Sequence, residues 1–221
     1  MFLTRIAKKD MRDLLRLYFI MGSNNCQSDP KHVLEQAIKG GISLFQFREK
    51  GNAAFSGEEK YHFAKELQSI CKKHMIPFIV NDDVELALAL NADGVHIGQD
   101  DESAEAVRRK IGDKILGVST HNLLEVEKAI AEGADYVGIG PIYSTETKVD
   151  AKAAQGTKLI LEVRNKGINV PIVGIGGITS ENAAPVMKSG GNGVSVITTI
   201  SLSADPAKSA RELKELIDSL G

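Results

Sequence analysis

The chain has 221 residues, 43% of them apolar and 25% charged, enough to bury a substantial core with the composition of a globular protein. Its net charge of −2 and pI of about 6.2 provide no global positive field for nucleic acid or anionic lipid, so neither is an expected partner. Apolar runs such as 170–177 are too short to cross a bilayer, residues 5–16 are too charged for a secretory signal, and Cys26 and Cys71 form no metal-type pair. These features point to a cytoplasmic protein with reduced thiols.

In chain order, residues 1–14 read as an extra helix with Met11, Leu14 and Leu15 on its apolar side. Short apolar runs then recur at 17–21, 44–47, 78–80, 94–97, 115–118, 136–139, 172–175 and 193–197. Near-continuous apolar runs mark strands covered on both faces, as in a parallel sheet. Amphipathic stretches separate them. The clearest are 32–39 (Val33, Leu34, Ala37, Ile38), 58–73 (Phe63, Leu67, Ile70, Cys71), 123–131 (Leu123, Val126, Ala129, Ile130) and 206–220 (Ala210, Leu213, Leu216, Ile217). Cap residues stand at Ser28-Asp29-Pro30, Thr179-Ser180-Glu181 and Asp205-Pro206, and Gly41, Gly133, Gly167 and Gly190 are placed to end helices. Eight strands alternating with helices, without a break in composition, predict an α/β fold. The expectation is a single (β/α)8 TIM barrel over residues 1–221, with 1–14 as a helical extension over its bottom.

In such a barrel the working residues sit at the C-terminal strand ends. The second run ends in Gln46-Phe47-Arg48-Glu49-Lys50, where alternation puts Gln46, Arg48 and Lys50 on one side. Two cations and an amide there suit an oligophosphate, or else form a solvated strand end. The third and fourth runs end in Asn81-Asp82-Asp83 and in His96-Ile97-Gly98-Gln99-Asp100-Asp101. Acids from adjacent strand tips can share a Mg²⁺ with substrate phosphate, or cap the following helices; four acids exceed what capping needs. His96 and His121 lack zinc-type spacing and read as core or rim histidines. After the sixth run, the loop from Gly140 to about Gln155 carries Tyr143-Ser144-Thr145-Glu146-Thr147-Lys148 and reads as a lid or binding loop, or as a solvated one. After the last two runs, Gly174-Ile175-Gly176-Gly177 and Ile197-Thr198 suit a monophosphate. Neither a dinucleotide fingerprint nor a P-loop is spelled out.

Taken together, in their order and spacing, these motifs resemble the thiamine-phosphate synthase family over nearly the whole chain. They run from Tyr18-Phe19-Ile20-Met21 through Gln46–Lys50, Val80–Asp83, 94–101, Gly117-Val118-Ser119 and 140–148 to 174–178. The resemblance implies an enzyme of thiamine biosynthesis, a transferase joining 4-amino-2-methyl-5-(diphosphooxymethyl)pyrimidine to a (carboxy)thiazole ethyl phosphate. Its products would be thiamine phosphate, pyrophosphate and, from the carboxythiazole, CO₂. It implies that Gln46, Phe47, Arg48, Glu49, Lys50, Asn81, Ser119 and Lys148 hold the pyrimidine pyrophosphate. Arg48, Lys50, Lys148 and Ser119 would be catalytic, and Asp82 and Asp101 would be the Mg²⁺ ligands. Thr145, Glu146, Thr147, Gly177, Ile197 and Thr198 would hold the thiazole phosphate. Serine is usual in the family where this chain has Thr198, and proline is common where it has Ser144. The implied mechanism is dissociative: pyrophosphate departs before the thiazole nitrogen attacks, so leaving-group charge must be stabilised and water excluded. The partners implied are small molecules, and a homo-oligomer is compatible with the chain. Rival readings are a thiazole tautomerase without ring coupling, a metal-independent barrel acting on a sugar or indole phosphate, and a catalytically silent phosphate sensor.

Overall fold

A computed structural model describes residues 6–145 and 153–220. Eight strands, β1 (Leu17–Met21), β2 (Leu44–Phe47), β3 (Phe78–Asn81), β4 (Gly94–Ile97), β5 (Ile115–Thr120), β6 (Tyr136–Ile139), β7 (Ile172–Ile175) and β8 (Gly193–Val196), pair in parallel in sequence order. Strand β8 returns to β1 through Leu17↔Val194, Tyr18↔Ser195 and Phe19↔Val196, which closes the barrel. Each of the eight lies on one of the apolar runs, and the fold is a TIM barrel.

The helices are α1 (Lys8–Leu14), α2 (Pro30–Gly40), α3 (Gly57–Lys73), α4 (Val84–Ala89), α5 (Ala104–Ile111), α6 (Leu123–Ala131), α7 (Lys158–Asn165), α8 (Ala184–Lys188), α9 (Thr198–Ser201) and α10 (Pro206–Ser219). Asp29 caps α2 through His32 N at 3.2 Å and Asp205 caps α10 through Lys208 N at 2.9 Å, each followed by proline in the first turn. The third expected cap is absent. Helix α8 begins at Ala184 without a side-chain cap, and Thr179, Ser180 and Glu181 instead lie in the loop after β7.

Period-2 alternation sorts the strands into two apolar layers. Outward residues such as Phe19, Phe45, Phe47, Phe78, Val95 and Val137 pack beneath the helices. Inward residues Tyr18, Ile20, Leu44, Ile79, Ile115, Tyr136 and Val173 fill the barrel, and Met11 and Leu15 join them from below. The amino-terminal helix therefore closes the bottom with Met11 and Leu15, both fully buried, while Leu14 only packs at the edge. Inward space is uneven. A Cβ on Gly117 would lie 2.1 Å from Tyr136 Cζ and 2.5 Å from His96 Nδ1, so this glycine leaves room for large polar rings inside the barrel.

Candidate active site

The C-terminal strand ends surround a cavity of about 330 Å³. Gln46, Arg48 and Lys50 all line it, as alternation along β2 requires, and so do Asn81, Asp82, Asp101, Ser119, Thr145, Gly177, Ile197 and Thr198. Phe47 and Glu49 have the opposite parity and are not among the residues that line it. Phe47 is buried in the outer layer against Phe63 and Phe78. Glu49 accepts from Ser23 N at 2.8 Å, Ser23 Oγ at 2.5 Å and Phe55 N at 2.8 Å. It braces the loops that carry Arg48 and Lys50 and turns away from the cavity. Glu146, Thr147 and Lys148 fall outside the described residues.

Of the four acids, Asp83 serves as a helix cap. Asp83 caps α4 through Leu86 N at 2.9 Å and pairs with Lys60 at 2.7 Å, and these contacts overcome the effect of burial and hold its carboxyl below the usual range. Helix α5 is capped by Ser103, which frees Asp100 and Asp101 from that task. Asp82 sits at φ +60, a left-handed conformation that costs a non-glycine residue about 1 kcal/mol or more. Its carboxylate accepts from Lys50 Nζ at 2.8 Å, and this bond holds the ammonium above its ordinary range. Asp101 accepts from Gly98 N at 2.7 Å. Burial pushes Asp101 above the ordinary carboxylate range, and the nearby Asp82 carboxylate adds to the rise against the opposing Gly98 bond. Two carboxylates thus lie close to one another beside the Lys50 ammonium, and all three line the cavity. Among the described residues no group of three or more His, Cys, Asp or Glu gathers as a metal cage. The donor set is one suited to Mg²⁺, which binds through one or two carboxylates plus substrate phosphate and retains waters.

Across the mouth, Gly176 and Gly177 have φ of +101 and +61. A Cβ on Gly177 would meet Ser144 O at 2.5 Å, so only glycine lets the loops after β6 and β7 lie this close. Asn182 fixes the turn, donating to Gly177 O at 2.9 Å and accepting from Thr179 N at 2.7 Å. Thr198 and Thr199 open the short helix α9 beside it, and both line the cavity.

Gln99 and Ser195 line the cavity without a role expected from the sequence, whereas His96 and His121 take the core and rim places expected of them. Gln99 donates to Ser119 O at 2.7 Å, and Ser195, nearly fully buried on β8, lines the floor. His121, at the rim, is bonded through Nδ1 to Glu125 at 2.9 Å, and His96 is a core histidine bonded to Tyr136 and Ser119. The inward parity of Ser195 with the apolar residues of β8 was the one signal available for it.

The family model described as thiamine monophosphate synthase matches residues 17–200. The chain belongs to that family. A thiamine-phosphate synthase of Bacillus velezensis is 60% identical over 215 residues, covering 97% of this chain and 96% of its own length. Another, from Bacillus cereus, is 59% identical over 213 residues, covering 96% and 97%. Among solved structures, a thiamine phosphate pyrophosphorylase from Pyrococcus furiosus superposes with a TM-score of 0.85 at 30% identity, covering 95% of this chain and 98% of that one. This member of the thiamine monophosphate synthase family is therefore a TIM-barrel enzyme of thiamine biosynthesis, and its cavity is the place to look for that chemistry.

Proposed function

We propose that this cavity condenses 4-amino-2-methyl-5-(diphosphooxymethyl)pyrimidine with a thiazole ethyl phosphate, giving thiamine phosphate and pyrophosphate. The observation that carries the proposal is the meeting of Asp82 and Asp101 beside Lys50, in a mouth also lined by Arg48. Acids and bases so placed suit a diphosphate, with Asp82 and Asp101 as the residues that would hold a Mg²⁺. When bound, that ion supplies positive charge to the oxygens of the leaving pyrophosphate. The thiazole phosphate would take the opposite side, at Gly177, Ile197 and Thr198 with Thr145.

The C–O bond to the pyrimidine methylene breaks with its electron pair leaving on pyrophosphate. The thiazole nitrogen then gives its lone pair to the methylene carbon. With a carboxylated thiazole, loss of CO₂ returns an electron pair to the ring. No protein nucleophile is needed. Arg48 and Lys50 stabilise charge on the leaving group, and Gln46, Asn81 and Ser119 orient the pyrimidine. Both cysteines are free, Cys26 half-buried and Cys71 buried, and among the described residues no helix is long and apolar enough to cross a membrane; the free thiols support a reducing, cytoplasmic setting.

The test is incubation of the protein with both substrates, Mg²⁺ and, in a parallel arm, a chelator, with thiamine phosphate and pyrophosphate as readouts. Product in equal amounts, abolished by the chelator and restored by Mg²⁺, is expected. Failure to form thiamine phosphate overturns the reaction, and full turnover under chelation overturns the metal assignment.

A further inference from the structure

Beneath the cavity, an unbroken chain of hydrogen bonds crosses the barrel interior. Gln46 Nε2 on β2 donates to Tyr18 OH at 2.6 Å, and Tyr18 OH meets Tyr136 OH at 2.8 Å. Tyr136 OH meets His96 Nδ1 at 2.9 Å, and His96 Nε2 meets Ser119 Oγ at 2.9 Å. Tyr18 and Tyr136 are essentially inaccessible to solvent, and His96 is 9% exposed. Both ends of the chain, Gln46 and Ser119, line the cavity from separate strands.

Each phenol has one proton to give, and burial raises both well above their ordinary pKa, so neither loses it. The direction of the first bond therefore sets the others. Tyr18 accepts from Gln46 and must donate to Tyr136. Tyr136 then donates to His96 Nδ1, which must be unprotonated. Nε2 of the neutral imidazole carries the hydrogen and donates to Ser119 Oγ. Gln46 is left to present its carbonyl oxygen to a ligand, and Ser119 its O–H. Reversing the chain would reverse both ends together.

We infer that Tyr18, Tyr136 and His96 are positioning residues whose one-way hydrogen-bond relay makes Gln46 an acceptor and Ser119 a donor, matching a ring that offers an exocyclic amine and an unprotonated ring nitrogen. The inference rests on the proposed function and deepens it: these residues select the amino form of the pyrimidine over rings with the opposite donor and acceptor pattern. The barrel interior is built around the relay. A Cβ on Gly117 would fall 2.3 Å from Tyr136 Oη and 2.5 Å from His96 Nδ1, at the joint between the two rings. A Cβ on Gly138 would press on His96 Cε1 at 3.3 Å. Polar groups in a dry interior hold their orientation because an unpaired one is costly, which is what allows a buried relay to fix polarity at the cavity wall.

The test has two arms on the full-length protein. In the first, ¹⁵N NMR of histidine-labelled wild-type protein reads the tautomer of His96, assigned with His96→Gln. A pyridine-type Nδ1 and a pyrrole-type Nε2 are expected; the opposite tautomer overturns the polarity. In the second, Tyr136→Phe and Tyr18→Phe are compared with wild type. KM for the pyrimidine pyrophosphate should rise about tenfold while KM for the thiazole phosphate stays within about twofold. Wild type should also bind the amino ring more tightly than its 4-oxo analogue in competition, and that preference should collapse in Tyr136→Phe. Unchanged preference, or equal rises in both KM values, overturns the relay. Should Tyr136→Phe fail to fold, Tyr18→Phe alone decides, because it breaks the chain one link earlier. A wild-type protein that makes no thiamine phosphate defeats the underlying reaction, whereas an active wild type with indifferent variants defeats only the relay.

Discussion

The two ends of the barrel use charge in opposite ways. At the bottom, Arg108 donates to the carbonyls of Gly112, Lys114 and Gly133 and to Asp135 at 2.6 Å, and Asp135 also accepts from Leu116 N. Arg164 repeats the device, donating to the carbonyls of Ile168, Val170 and Gly190 and to Asn192 Oδ1. These guanidiniums are consumed by the chain itself, tying the turns after α5 and α7 to the strands that follow. At the top, Lys50 and Asp82 are paired but open, with side chains 56% and 23% exposed, against 17% and 4% for Arg108 and Asp135. A charge whose partners are all supplied by the turns and strand starts around it has a structural task, and one facing a cavity beside a like-charged neighbour is available to a ligand.

The contrast breaks most sharply at Arg108. Arg108→Ala leaves the Asp135 carboxylate buried without its cation and should cost about 3–5 kcal/mol, lowering Tm by on the order of 10 °C in calorimetry. The kcat/KM of the folded fraction should not change, and an activity loss without a stability loss would erase the distinction between the two ends. Asp82→Ala and Asp101→Ala should behave oppositely, with kcat falling by about 10²–10³-fold, most at low Mg²⁺, and little change in Tm. Wild-type rates for both across a Mg²⁺ titration would overturn the assignment of these two acids to the metal. Arg48→Ala divides the mouth itself: isothermal calorimetry should find pyrimidine pyrophosphate binding weakened by about 10–100-fold and thiazole phosphate binding nearly intact. Smallest is Thr198→Ser, which trims one methyl beside the glycine turn and should alter only the KM of the thiazole phosphate, by a few-fold.

The same contrast separates what was legible in the chain from what was not. The eight apolar runs announced the strands because both faces of a barrel strand are buried, and the parity of Gln46, Arg48 and Lys50 carried directly to the cavity wall. Phe47 and Glu49 were grouped with them by motif although their parity already pointed outwards, where the structure puts them under α3 and against Ser23. Among the acids, strand-tip position alone did not single out the cap. Asp83 caps because it directly precedes α4, while Ser103 takes the corresponding place before α5. The helices α4, α5, α7 and α8 are short, five to eight residues each, and gave weak periodic signals.

Local pattern thus decided the barrel, its extra helix and the line of residues along each strand, since burial of one strand face or one helix stripe is written in near-neighbour spacing. Closure of the barrel decided the rest. Tyr18 meets Tyr136, 118 positions away, only because β8 pairs with β1 and all eight strands enclose one interior. Which polar groups share a dry interior depends on the order and stagger of all eight strands, and no stretch of a single strand carries that information.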